Sequence, residues 1–440
     1  MLIGGAARCG PIWPRGSLLS TFTADAAAAL AGPDWLRARR TAAAERFAGL
    51  ALPTESEEIW RYSRISDLDL DRFRPSAGDA VAPGLPTAVQ PIVDAAGPYA
   101  ALVVVRNGQV THAQVDPALA DRGLYVGDLP GTPEGDDALG AVALASTDAF
   151  TELNAAFLPG AATVRVPAGM AVEQPVLIVH WLDGDGVAAF PRTVIQAGPD
   201  SELTVVEHQA SAPGIAAFAD PVVELDVAAA ARLRYLNVQD LGPRVWQVAY
   251  QASRVARDAT LQSAVIALGG DYARVRTDSI ITGRGATSNL TAVYFADGDT
   301  MHDFRTLQDH AGPASTSDLL FKGAVQDRAQ AVYSGLIRVR KDAPGTNAFQ
   351  TNRNLVLSEG AGAMSVPNLE IENNDVRCSH ATAVGPIDED QLYYLESRGV
   401  PPGAAERLIV LGFFGEVLDR LPLPQLVASV KAAVAQKVRS

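Results

Sequence analysis

The sequence predicts a mainly β protein: a solenoid, or β-helix, of stacked strand coils with helical regions at its N-terminal and C-terminal ends. Three observations carry that expectation. Leu203, Leu233, Leu261, Leu290 and Leu319 each open an apolar strand just after a small polar cluster, at intervals of 30, 28, 29 and 29 residues. A fixed period of roughly 20–50 residues marks stacked repeats, each burying its face only against its neighbours. From about residue 98 to 385 helical periodicity largely gives way to short apolar alternations separated by Gly, Asp, Pro and Asn. A 440-residue chain would otherwise divide into about three domains. A two-sheet sandwich of short strands also permits regular turn spacing; the small drift of the period favours the solenoid.

The elements follow in order. Residues 1–20 read as a disordered extension, and 21–75 as an N-terminal helical domain. In that domain Leu36, Ala43, Phe47 and Leu50 form an amphipathic stripe behind Asp34 as N-cap, and Glu57-Glu58 leads into the short aromatic segment Ile59-Trp60-Arg61-Tyr62. The Pro-, Ala- and Gly-rich stretch 76–97 reads as a linker. Residues 98–385 form the β core. It opens with a hairpin at Asn107-Gly108 and is interrupted by one helix, Ala145 to Leu158, entered through Ser146-Thr147-Asp148. Strands continue at 336–340, 355–357, 369–372 and 376–382. Residues 386–440 turn helical again: Asp388 and Gln391 make a capping-box-like start, Pro401-Pro402 opens an apolar helix, and 425–438 forms the last one. Such apolar helices either close a small bundle or offer a docking face.

Composition removes several functions. With 36 basic and 50 acidic residues the net charge is −14, which disfavours nucleic acid or an anionic membrane as a partner. Two cysteines, Cys9 and Cys378, make no disulfide framework. Arg8, Pro11, Pro14 and Arg15 break any signal-peptide core in the first twenty residues, and no long apolar run suggests a membrane span, so a cytoplasmic location is expected. There is no phosphate-binding loop, no dinucleotide fingerprint, no nucleophile elbow and no His-Glu-x-x-His pair. His112, His180, His208, His302 and His310 read as surface or hydrogen-bonded core residues.

The remaining chemistry lies in Asp375-Val376-Arg377-Cys378-Ser379-His380. On an extended strand Cys378 and His380 share one face. Thiolate and imidazole are ligands for zinc and iron–sulfur centres, but a closed site needs about four ligands, so this pair is half of one at most. Burial as ordinary packing is the competing reading, since free cysteine is often buried.

Several segments together resemble the SufB/SufD family of iron–sulfur cluster assembly scaffolds. They are Trp60-Arg61-Tyr62, Met301-His302-Asp303 to His310, Ser317-Asp318 to Lys322-Gly323, Tyr333-Ser334-Gly335, Asn352-Arg353-Asn354-Leu355, and Cys378-Ser379-His380-Ala381 to Tyr394-Leu395-Ser397-Arg398-Gly399. The Cys-Ser-His block is similar to the branch of that family that pairs with SufB. The resemblance implies a right-handed parallel β-helix, a non-catalytic scaffold role, pairing with SufB through the β-helix end near 352–385, and docking of the SufC ATPase on helices 386–440. A homodimer is possible in isolation. It also implies a transient iron–sulfur cluster shared with SufB, with His380 as a metal ligand and Cys378 as a nearby thiol; some assemblies of the family carry reduced flavin. Ala381 departs from the family, which often has Gly there. The alternative from another class is a carbohydrate-active β-helix enzyme, such as a polysaccharide lyase or hydrolase. That reading lacks both an export signal and an Asp cluster repeating with the coils.

Overall fold

In the computed structural model, residues 21–132, 135–143, 148–421 and 423–438 are described. The expected extension 1–20, with Cys9, lies outside them, as does the segment leading into the helix expected from Ala145.

Alternation of apolar residues gives strands that pair coil over coil. The strands between 162 and 385 form a solenoid of about eight turns. Successive strands of one sheet are parallel and lie about thirty residues apart, as in Leu203↔Leu233↔Leu261. Among the described residues the coils build a 12-stranded and a 10-stranded sheet, which excludes the sandwich. All five periodic leucines are buried.

The register adds one correction. Partners Glu202, Arg232, Thr260, Thr287, Thr316 and Asn347 are spaced 30, 28, 27, 29 and 31 residues apart. Leu261 therefore faces Ser288, and Leu290 faces Ser263. The coil lengths are set at a corner. Asp200, Ala230, Asp258, Gly285, Ala314 and Gly345, one per coil, all have positive φ. Each donates its backbone N–H to a carbonyl of the next coil: Ala229, Arg257, Arg284, Pro313, Pro344 and Asp375 in turn. The left-handed conformation favours Gly and Asp and tolerates small side chains, so the polar clusters before Leu203, Leu233 and Leu261 begin at these corners, whereas those before Leu290 and Leu319 start just past Gly285 and Ala314.

The N-terminal end of the stack is closed. Ala101–Arg106 and Gln109–Val115 form the expected hairpin, with φ of 48° at Asn107 and 89° at Gly108, as a type I′ turn requires. This hairpin caps one sheet, and Tyr125–Asp128 pairs antiparallel with Ala162–Val166 to cap the other.

Helices flank both sheets. Asp34–Ala48 packs on Ala149–Phe157, the expected insertion helix, which is N-capped by Asp148. Short helical turns at Pro117–Ala120 and Gly135–Ala138 interrupt the β core as well, so the insertion helix is not alone. Buried Arg40 donates to the carbonyls of Leu158, Leu30, Ala31 and Pro159, tying the two helices together. Within 76–97, Gln90–Ala96 is helical, with Val89 and Val93 buried against the 10-stranded sheet. At the other end Pro402–Leu418 and Pro424–Lys437 bury Val410, Phe414, Val417, Val430 and Val434 against the outer face of the same sheet. Glu389–Ser397 buries none of its residues. No described helix is long and apolar enough to cross a membrane.

Candidate functional site at the open end of the solenoid

Among the described residues, no strand caps the C-terminal end of the stack. Val376–Gly385 pairs with Thr346–Val356 on one edge only, and Gly362–Ile371 pairs only with Gln330–Val339. Cys378 and His380 lie on this terminal strand. Their register partners are Ala348 and Gln350, both buried, so the two side chains share the face turned toward the solenoid interior, as the alternation requires. They differ in environment. Cys378 is half-buried against Ile337, Val339, Ala343 and Ala348, with Leu369 and Val376 beside it. Burial pushes its thiol pKa up, against a smaller opposing effect of a backbone hydrogen bond at Ala348. His380 is exposed. No group of three or more His, Cys, Asp or Glu able to hold a metal occurs among the described residues. Chemically, the end offers one open imidazole and one protonated thiol.

The coils beneath are tightly specified. Gln350 accepts a hydrogen bond from the Tyr333 hydroxyl at 3.1 Å and donates to the Asn368 carbonyl at 3.3 Å, bridging the two sheets under the terminal strand. Gly335 must lack a side chain here, since a Cβ would meet the Tyr333 hydroxyl at 2.1 Å and Gln350 Oε1 at 2.7 Å. Tyr294, Phe304, Phe321 and Tyr333 fill the interior in sequence, with centroid separations of 4.7, 5.7 and 5.4 Å. The Tyr294 hydroxyl donates to Asn354 Oδ1 at 2.6 Å and accepts from Asn352 Nδ2 at 2.9 Å. Gly323 leaves room for the Tyr294 ring, which a Cβ would meet at 1.9 Å.

The other sequence blocks anchor the flanking helices. Asp303 is buried between Arg274 and Arg305, each at 2.6 Å, and accepts from the Tyr272 hydroxyl at 2.9 Å. Burial alone would raise the Asp303 pKa, but the two guanidiniums hold it below the usual carboxylate value. Arg274 also donates to the Ile59 carbonyl and stacks 3.7 Å from the Trp60 ring, while Arg305 donates to the Arg61 carbonyl. Lys322 donates to the Phe413 carbonyl at 2.9 Å and pairs with Glu416 at 2.8 Å, fixing the Pro402–Leu418 helix.

The histidines divide as core and surface. His302 and His310 are buried, and burial lowers both pKa values to about 4. Ser315 donates to the Gly312 carbonyl, so His310 Nδ1–H donates to Ser315 and Nε2 accepts from Ser317. His208 lies inside the strand Glu202–Ser211. His180, which stands alone in sequence, faces Glu207 at 3.3 Å on the neighbouring strand of the same sheet. Only the 29-residue spacing of the two strands could have linked them.

A family profile described as the SUF-system FeS cluster assembly SufBD core domain matches residues 180–413. An iron–sulfur cluster assembly SufBD family protein of Mycobacterium tuberculosis is 35% identical over 67% of this chain and 74% of its own length. The chain belongs to the SufBD family of SUF-system iron–sulfur cluster assembly proteins. Within that class, proteins named SufD are similar along most of their length. The Escherichia coli SufD is 28% identical over 88% of this chain and 89% of its own, and the Bacillus subtilis SufD 28% over 92% and 95%. Membership displaces the carbohydrate-active reading.

Proposed function

We propose that the chain is the scaffold subunit of a SUF assembly complex, without chemistry of its own, that lends His380 to a nascent iron–sulfur cluster completed by SufB. One observation carries the reading: an exposed imidazole stands on the terminal strand of an open stack, and among the described residues no group of three or more metal donors forms around it. The remaining ligands then come from a partner across that end. Phe349, Met364, Ile371 and Val384, each 40–45% exposed, lie on the last three strands of the stack, and apolar exposure of this kind suits a covered surface. Cys378 is a neighbour of the cargo, its protonated thiol ready to ionise when a metal arrives. Replacing a thiolate by imidazole removes negative charge from the cluster, which favours a labile, transferable one.

SufC docks on the C-terminal helices. Tyr393, Tyr394 and Leu408 are exposed there, and Arg407 Nε is buried without a partner. Alone, the chain can pair with a second copy through the same open end. The complex works in the cytoplasm.

Co-purification with SufB and SufC followed by anaerobic reconstitution tests the reading. His380→Ala should weaken iron retention by about tenfold or more, since even groups behind a ligand contribute that much, while complex assembly is retained. Unchanged cluster content would sink the ligand role; failure to co-purify would sink the partner assignment.

A further inference from the structure

Three buried polar atoms near the closed end of the interior lack partners: His180 Nδ1, Gln247 Oε1 and Glu207 Oε2. Their neighbours are fully engaged. His180 Nε2 lies 3.3 Å from Glu207 Oε1, which also accepts from Gln209 Nε2 at 3.1 Å; Gln209 Oε1 in turn accepts from Gln247 Nε2. Beside them is a cavity of about 20 Å³, walled by His180, Gln209, Gln247, Leu182, Pro191 and Leu241, all buried. A void of about 10–15 Å³ already holds a water, provided that two to four polar groups meet it.

We infer that this cavity is the site of a single structural water joining His180 Nδ1 to Gln247 Oε1. Water is the occupant that fits both groups. Gln247 Oε1 can only accept, so the occupant must donate to it. His180 Nδ1 donates when the ring is an imidazolium and accepts when the ring is neutral with its proton on Nε2. A water satisfies Nδ1 in either state, and a second donor on it reaches the neutral ring. A metal cation fits poorly: the unpartnered atoms are one amide oxygen, one ring nitrogen and one carboxylate oxygen, whereas hard cations take about six or more oxygens, and the other Glu207 oxygen is already faced by the imidazole. The bridge ties the strand Val176–Leu182 of one sheet to Val245–Val255 of the other, across an interior where, Gln209 apart, the remaining wall is apolar. It accounts for a histidine and a glutamine buried where hydrocarbon would otherwise pack. The inference is independent of the cluster site at the opposite end.

A crystal structure of the whole chain at a resolution that shows ordered water should contain one peak within hydrogen-bonding distance of both atoms. Deuteron relaxation dispersion on the same protein should count a long-lived water that disappears in Gln247→Leu. Should Gln247→Leu not fold, the wild-type density decides. An empty cavity, a direct His180–Gln247 contact, or an anomalously scattering ion at the position overturns the inference.

Discussion

Gly335 shows how a residue without a side chain can specify an interior. Its place is held by the Tyr333 hydroxyl and Gln350 Oε1, and neither can yield without breaking the hydrogen bond that bridges the two sheets. Gly335→Ala should destabilise the fold by roughly 1–3 kcal/mol through overpacking, read as a lower urea midpoint; an unchanged midpoint would mean that the end coil is softer than its contacts indicate. His302 and His310 make a second test. Their folded pKa values of about 4 lie below the usual 6.5, so between these pH values the unfolded chain binds more protons and stability falls as pH falls, levelling off below about 4. Each contributes on the order of 3 kcal/mol. Asp128, whose pKa burial raises to about 6, works in the opposite sense. Urea unfolding from neutral pH to pH 4 should therefore be compared between wild type and His310→Asn, and the variant's profile should be flatter by that amount. At this scale the Cys378–His380 face was legible, because strand alternation alone sets it. That Cys378 would be half-covered and His380 open was not, because Leu369 and Ala343 come from other strands and corners.

At the scale of elements, buried charge does what apolar packing does elsewhere. Arg274, Asp303 and Arg305 hold the Ile59–Arg61 backbone against the 12-stranded sheet. Asp303→Asn leaves two buried guanidiniums without their carboxylate and should cost about 3–5 kcal/mol. Chemical denaturation measures the loss, and limited proteolysis near Trp60 should show the N-terminal segment released before the solenoid unfolds. Equal resistance to protease in the variant would show that Trp60 stacking suffices. The sequence displayed Trp60, Asp303, Lys322 and Asn352 as separate blocks, and their roles stayed hidden because Trp60, Lys322 and Asn352 depend on the distant Arg274, Glu416 and Tyr294, and Asp303 on Arg274 and Tyr272 of the preceding coil. The helix Gln90–Ala96 was hidden for another reason: Pro86 and Pro91 read as linker composition, although Pro91 near the helix start is well placed for φ.

For the whole molecule, the leucine period announced the solenoid because each coil must present the same inward face. It could not announce the two-residue step between Leu261 and Leu290, since inward positions recur every second residue and a slip of two leaves the pattern intact. The positive-φ corner, one residue per coil, carries the true register. The one-edge pairing of the terminal strand Val376–Gly385 has a consequence in time. An inner strand such as Arg232–Asp240 opens only when its neighbours on both edges let go, whereas the terminal strand can open alone. Amide exchange should thus be graded along the axis: backbone protons of 376–385 should exchange at least about a hundredfold faster than those of 232–240 in the isolated chain, and slow when a partner covers the end. Equal rates would contradict this gradient. His380 accordingly stands on the coil with the shortest lifetime, and its geometry becomes persistent only while the end is covered.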